Sequence, residues 1–171
     1  SEDKHDARTA SSRAALSGTC PPWQTPPMTA KSKSTGAVRA VRIHGIDHAR
    51  AALAAAVALD VQVRLVSAPG AGGYGGAAWF AEMLAQAGAE NPKAKYDGVL
   101  DCGTEAGAAL AALRQGVRLI RFTGHRAARA RLDALAKKYG ARLITSALPA
   151  LDLADVADTQ AACRDWLGKT R

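Results

Sequence analysis

From Gly36 onward the chain alternates short apolar runs, many of them β-branched, with longer alanine-rich stretches. Val38 to His44, Val61 to Ser67, Tyr96 to Cys102, Val117 to Thr123 and Arg142 to Thr145 read as strands, each a compact run bounded by polar or glycine residues. Asp47 to Leu59, Ala77 to Ala87, Glu105 to Gln115 and His125 to Tyr139 read as helices, because their apolar residues recur at helical spacing. Asp47 and Thr104 stand at expected N-cap positions, and Gly88, Gly116 and Gly140 stand where helices are expected to end. Strands alternating with helices of this length pair in parallel through right-handed crossovers. The pattern therefore predicts an α/β domain over residues 36–148, a five-stranded parallel βα repeat arranged as a half-barrel or an open three-layer sheet. A full eightfold barrel needs about 200 residues or more, and the chain has 171.

Outside that span the periodicity is lost. Residues 1–35 are rich in Ser, Thr, Pro and scattered charge, cannot bury enough apolar area to offset chain entropy, and are expected to form a disordered leader. Met28, followed by Thr29-Ala30-Lys31-Ser32-Lys33, looks like a bacterial start. After Pro149 the pattern decays into Leu151-Asp152-Leu153-Ala154-Asp155 and a last helix through Trp166, so residues 149–171 read as a C-terminal helical tail.

Composition narrows the setting. Three cysteines, Cys20, Cys102 and Cys163, form neither a disulfide framework nor a zinc-ligand spacing, so reduced cytoplasm is the expected compartment and no metal site is expected. The leader has no apolar h-region, and no run approaches the roughly 20 apolar residues of a bilayer span, so no membrane partner is expected. The formal charge of +8 is compatible with phosphate-bearing partners without demanding them. Its dense segment, His125 to Arg142, interleaves its cations with Ala and Leu and has a single tyrosine, Tyr139, near its end, which favours a solvated helix face over a nucleic-acid surface.

In parallel α/β architectures ligands meet the carboxyl ends of the strands, where loops and helix amino ends expose unpaired N–H groups. Here those positions hold His44, Asp101, Gly103, Thr104, Gly124 and His125. His44 and His125 are side chains suited to acid or base work, and Asp101 and Cys102 are candidate acceptor and thiol. The same residues also suit capping and the exit of strands from a core. Gly70, Gly72 and Gly75 satisfy G-x-G-x-x-G between a predicted strand and helix, an arrangement able to cradle a phosphate, although five glycines in seven positions also suit a flexible connector.

The run Val38 to Ile43, the helix after it, Val61 to Ser67, Leu100-Asp101-Cys102-Gly103-Thr104 and Gly116 to Gly124 together resemble the opening five βα units of the keto-deoxy-phosphogluconate aldolase family. The resemblance implies a barrel-like sheet. It sets Arg42 where the family keeps a first-strand arginine near the substrate, Gly103 and Thr104 on the turn that approaches the substrate carboxylate, and Gly124 on the glycine ending the fourth strand. The family's catalytic glutamate aligns with Leu65, and its Schiff-base lysine has no counterpart, so the likeness implies an anion cradle without the aldol machinery. Arg39, Arg42, Arg64, Arg118 and Arg121 all fall in predicted strands, and an arginine there also reads as an edge or snorkelling residue. The leading expectation is a degenerate half-barrel that binds a small carboxylate or phosphate, needs no cofactor, and self-associates through its open edges. The alternatives are a flavodoxin-like or Rossmann-like nucleotide domain and a non-catalytic interaction module.

Overall fold

The computed structural model describes residues 38–169; the expected leader, Cys20 and Met28 lie outside the described residues. The elements follow the order β1 (Arg39–Ile43), α1 (Ile46–Leu59), β2 (Gln62–Ser67), α2 (Ala71–Tyr74), α3 (Gly76–Glu90), β3 (Lys95–Asp101), α4 (Ala106–Arg114), β4 (Leu119–Arg121), α5 (Arg126–Lys138), β5 (Arg142–Ile144), β6 (Ala150–Asp152) and α6 (Thr159–Gly168). All strands are parallel, in the order β5-β4-β3-β2-β1-β6. The α/β class and the five expected strands are present, and the segment read as a tail adds β6 beside β1 and α6 against α1. Asp47 and Thr104 are not the caps expected of them: Gly45 and Glu105 hold those places, and neither makes a side-chain cap bond. Helix α3 runs through Gly88 to Glu90, whereas Gly116 and Gly140, with φ of 82° and 63°, do lie just past the ends of α4 and α5.

The helices α6, α1, α3, α4 and α5 touch one another in series, in the same order as the strands beneath them, so they form one layer on one face. Along each strand alternate residues point into this layer. Val41, Ile43, Val63, Leu65, Leu100, Ile120 and Phe122 lie fully buried there against Leu53, Phe80 and Leu113. Alanine dominates the facing helix surfaces, at Ala49, Ala52, Ala56, Ala109 and Ala112, and small side chains bring helix and sheet backbones close together. Gly98 shows how close: a Cβ there would collide with Leu84 Cδ1 and stand 3.2 Å from the Phe80 ring.

Among the described residues, no helix covers the opposite face. It carries a small apolar group, Ala40, Val66, Val99 and Ile144, packed with Leu119, Leu148 and Ala150. The chain passes from β5 to β6 in six Cα steps, a reach of at most about 22 Å. In a flat sheet these two strands would stand five spacings apart, about 24 Å. The sheet must therefore curl, with the Thr145–Pro149 connection and its Leu148 lying across the concave side. The strand sequence is that of a barrel left open between β5 and β6, and the sheet does not close.

Substitution of Gly98 by valine is expected to destabilise the domain by about 1–3 kcal/mol through overpacking against α3, measured by urea denaturation. Unchanged stability would mean that Phe80 and Leu84 do not pack on this strand as described.

Candidate functional site

The concave face is built from charged pairs as well as apolar side chains. Arg42 and Asp152, Arg64 and Asp97, and Arg121 and Asp101 are each direct register partners on neighbouring strands, and each pair forms a salt bridge, at 3.1, 2.6 and 2.6 Å. Arg42, Arg64 and Arg121 are thus internal counterions on this face. Arg64 is held by both oxygens of Asp97, through Nε at 2.7 Å and Nη2 at 2.6 Å, and this pairing raises its pKa. Arg39, on the helix side, stacks over Trp166 at 4.7 Å.

Asp101 ends β3 with its carboxylate buried, only 1% exposed. One oxygen accepts from Arg121 Nη1 at 2.6 Å, and the other accepts the backbone N–H of Gly103 at 2.8 Å and of Gly70 at 3.2 Å. One carboxylate therefore ties together the loop after β2, the turn after β3 and strand β4. The buried Ser67 hydroxyl accepts the Asp101 N–H at 2.9 Å and donates to Ala68 O. Arg121 Nε also reaches Ser146 O at 3.4 Å.

This geometry accounts for much of the glycine loop. Gly70 has φ +70° and gives its N–H to Asp101, so that donor is already engaged. Gly72 sits so close to Cys102 that a Cβ would collide with the sulfur, and a Cβ on Gly75 would stand 2.8 Å from the Trp79 ring. The loop folds into the single turn α2, which packs on β3 and α4. Gly103, Thr104 and Gly124 do converge: Gly103 O accepts the Thr123 N–H at 2.8 Å, and the Thr104 carbonyl lies 3.0 Å from where a Gly124 Cβ would be. His125 is the exposed N-cap of α5, its Nδ1 accepting from Ala127 N at 3.5 Å. Cys102 is fully buried, and burial, with the neighbouring Asp101 charge, pushes its thiol up to about 12, so it holds no nucleophilic thiolate near neutrality.

Arg42 and His44 gather on the far side of β2. Asp152 Oδ2 accepts from Arg42 Nη1 at 3.1 Å, and Asp152 Oδ1 meets His44 Nε2 at 2.7 Å and the Ala154 N–H at 3.1 Å. Burial works against the Asp152 charge, but the bonds from Ala154, His44 and Arg42 outweigh it and bring its pKa down to about 2. His48 packs edge-on to His44 at 5.9 Å and accepts the His44 backbone N–H on Nδ1 at 3.2 Å. That bond places the His48 proton on Nε2. Burial, then the neighbouring His44, lowers the His48 pKa. The Nε of Arg42 is buried and has no hydrogen-bond partner among the described residues.

The expected rim set therefore divides in two. Asp101, Gly103, Thr104 and Gly124 lie together over β3 and β4, where both Asp101 oxygens are engaged and Arg129, bound to Gly124 O, has a buried Nε without a partner among the described residues, whereas Arg42 and His44 lie over β1 and β6. Asp152 and His48 complete the second cluster and carry no motif. The one trace of Asp152 in sequence is the short alternation Ala150-Leu151-Asp152-Leu153, with Leu153 buried and Asp152 on the concave face.

Replacing Asp101 by alanine leaves the half-buried Arg121 guanidinium and two N–H groups without their acceptor, and is expected to cost about 3–5 kcal/mol; a loss under 1 kcal/mol in urea denaturation would remove Asp101 from this central role. For Asp152 the folded pKa lies below its ordinary value of 3.8, so its contribution is present above about pH 4 and is lost as pH falls towards 2. With its side chain 43% exposed, solvent screening keeps this below about 1 kcal/mol. The stability difference between the native chain and Asp152→Asn should vanish across that interval, and a difference that persists at pH 2 contradicts the assignment.

No family model matches this chain, and no curated protein matches it.

Proposed function

We propose that this chain binds a small anionic ligand, a carboxylate or phosphate, at the carboxyl end of β1 and β6, with Arg42 and His44 as its contacts. The observation that carries this reading is the Arg42 guanidinium, fixed at Nη1 by Asp152 while its buried Nε has no acceptor. That Nε is shut off from solvent, so a ligand meets the guanidinium at its exposed part, the Arg42 side chain being 24% exposed. The Asp101 carboxylate supports the same location by contrast, since both its oxygens are already engaged.

His44 narrows the ligand class. Its Nε2 meets the Asp152 carboxylate, so Nδ1 is the ring nitrogen left to meet a ligand. A ligand with an anionic oxygen for Arg42 and a hydroxyl for His44 satisfies both, as a 2-hydroxy acid or a monoprotonated phosphate does. The Arg42 and Asp152 charges cancel, so selectivity rests on this donor and acceptor pattern more than on net attraction.

Thermal denaturation with lactate, pyruvate and inorganic phosphate tests the reading. A ligand at about 100 times its Kd adds about 2.7 kcal/mol, a rise in Tm on the order of 5–10 °C. Lactate and phosphate are expected to outperform pyruvate, which has no hydroxyl. Arg42→Lys keeps the charge and removes the fork, and should weaken binding at least fivefold, as should His44→Ala. No shift with any of the three at 50 mM, or shifts unaffected by both substitutions, overturns it.

A further inference from the structure

The net positive charge of this chain is concentrated in one flank. Residues 106–144 hold nine Lys and Arg against the single Asp133, while the remainder of the chain holds 14 of each sign. The whole formal charge of +8 therefore resides in α4, β4, α5 and β5, which form one edge of the sheet and its covering helices. Arg121 within this set is neutralised by Asp101, and Lys137 by Asp133. Arg114, Arg118, Arg126, Arg131, Lys138 and Arg142 are all exposed and form no salt bridge among the described residues.

Tertiary structure joins parts of the flank that lie apart in the chain. The Arg142 N–H bonds Arg118 O at 2.8 Å, and a Cβ on Gly140 would stand 3.8 Å from the Arg118 guanidinium. The Arg118 side chain thus meets the end of α5, where Lys138 and Tyr139 are exposed, the tyrosine by 49%, and Arg142 stands beside it on the edge strand with its side chain on the concave face. The outer stripe of α5 continues from there through Ala134, Arg131, Ala130, Ala127 and Arg126, all exposed. Over its 13 residues the helix extends the cationic strip by about 20 Å.

Local helix stability does not account for this pattern. Arg126 and Arg129 occupy the amino-terminal turns of α5, where the helix dipole disfavours cations, and the first turn has no acidic residue. So many unpaired like charges on one edge also repel one another. The exposed residues between the cations are alanines, which offer no bulky apolar group for insertion into a bilayer. Seven of the nine cations are arginine, whose planar fork fits phosphate oxygens in pairs. The exposed ring that a solvated helix face would not require is supplied by Tyr139, beyond the last turn of α5. We infer that this flank binds the phosphate backbone of a nucleic acid without sequence preference, with Tyr139 available to stack on an unpaired base.

Fluorescence anisotropy of the full chain with a labelled 20-nucleotide single strand and a 20-base-pair duplex tests this. Binding in the micromolar range is expected at 50 mM salt. For about four phosphate contacts on a single strand, affinity should fall roughly 50-fold between 50 and 200 mM. The combined variant Arg118→Glu, Lys138→Glu and Arg142→Glu should lose at least tenfold. The milder pair Arg126→Gln and Arg131→Gln should lose threefold or more, and Arg164→Glu on α6 should change nothing. Tyr139→Ala should weaken the single strand more than the duplex. Absence of binding at 50 mM salt, binding unaffected by both flank variants, or tighter binding to phosphatidylserine vesicles or polyglutamate overturns the inference.

Discussion

The fold depends on arginine and aspartate side chains that face each other across neighbouring parallel strands. A parallel sheet with one bare face has little to fix its register there, because a slip by one residue exchanges the two faces of a strand. In this chain a slip of β2, β3 or β4 would drive Arg64, Asp97, Asp101 or Arg121 into the apolar layer beneath the helices. Burying an unpaired charge costs several kcal/mol, so these pairs act against wrong registers even where their net contribution to the right one is small. Asp101 extends the same constraint from strands to loops, since its second oxygen holds Gly70 and Gly103.

The helical side follows different physics. Its alanine surfaces add little apolar area per residue, and they compensate by close approach, as at Gly98 under Phe80 and Leu84. Helices of this kind cover one face of the sheet only. The concave face is left to Leu148, a few aliphatic side chains and the ion pairs, and polar groups therefore gather at its carboxyl rim. In the β3 and β4 half of that rim both oxygens of the Asp101 carboxylate are taken by protein donors. The Arg42 Nε of the β1 and β6 half is unmatched, as is the Nε of Arg129, which reaches Gly124 O through Nη2, so what sets the β1 and β6 half apart is the partly exposed Arg42 and His44 pair.

Local pattern made most elements legible. The helix and strand positions follow from apolar spacing, and the parallel pairing follows from their alternation. Strand β6 escaped because three residues after a proline carry too little pattern to distinguish a strand from a loop. The caps at Asp47 and Thr104 were misplaced by one or two positions, because a polar residue in the first turn, as Asp47 is, or just before the cap, as Thr104 is, has the same composition as one at the cap. At the rim, His44 and Asp101 were visible as polar residues at strand ends and Arg42 only through a resemblance, but their partners were not, since Asp152 lies 110 residues from Arg42.

The amino-acid order by itself determined the α/β class, the alternation of elements and the concentration of charge between residues 106 and 144, because each depends on composition or on spacing within a single element. Tertiary structure decided which arginine met which aspartate, how the sheet curled, and that Arg118, Tyr139 and Arg142 share one edge. Those outcomes depend on register and on strand order, and both are set by contacts between distant segments whose energies no local window of sequence contains.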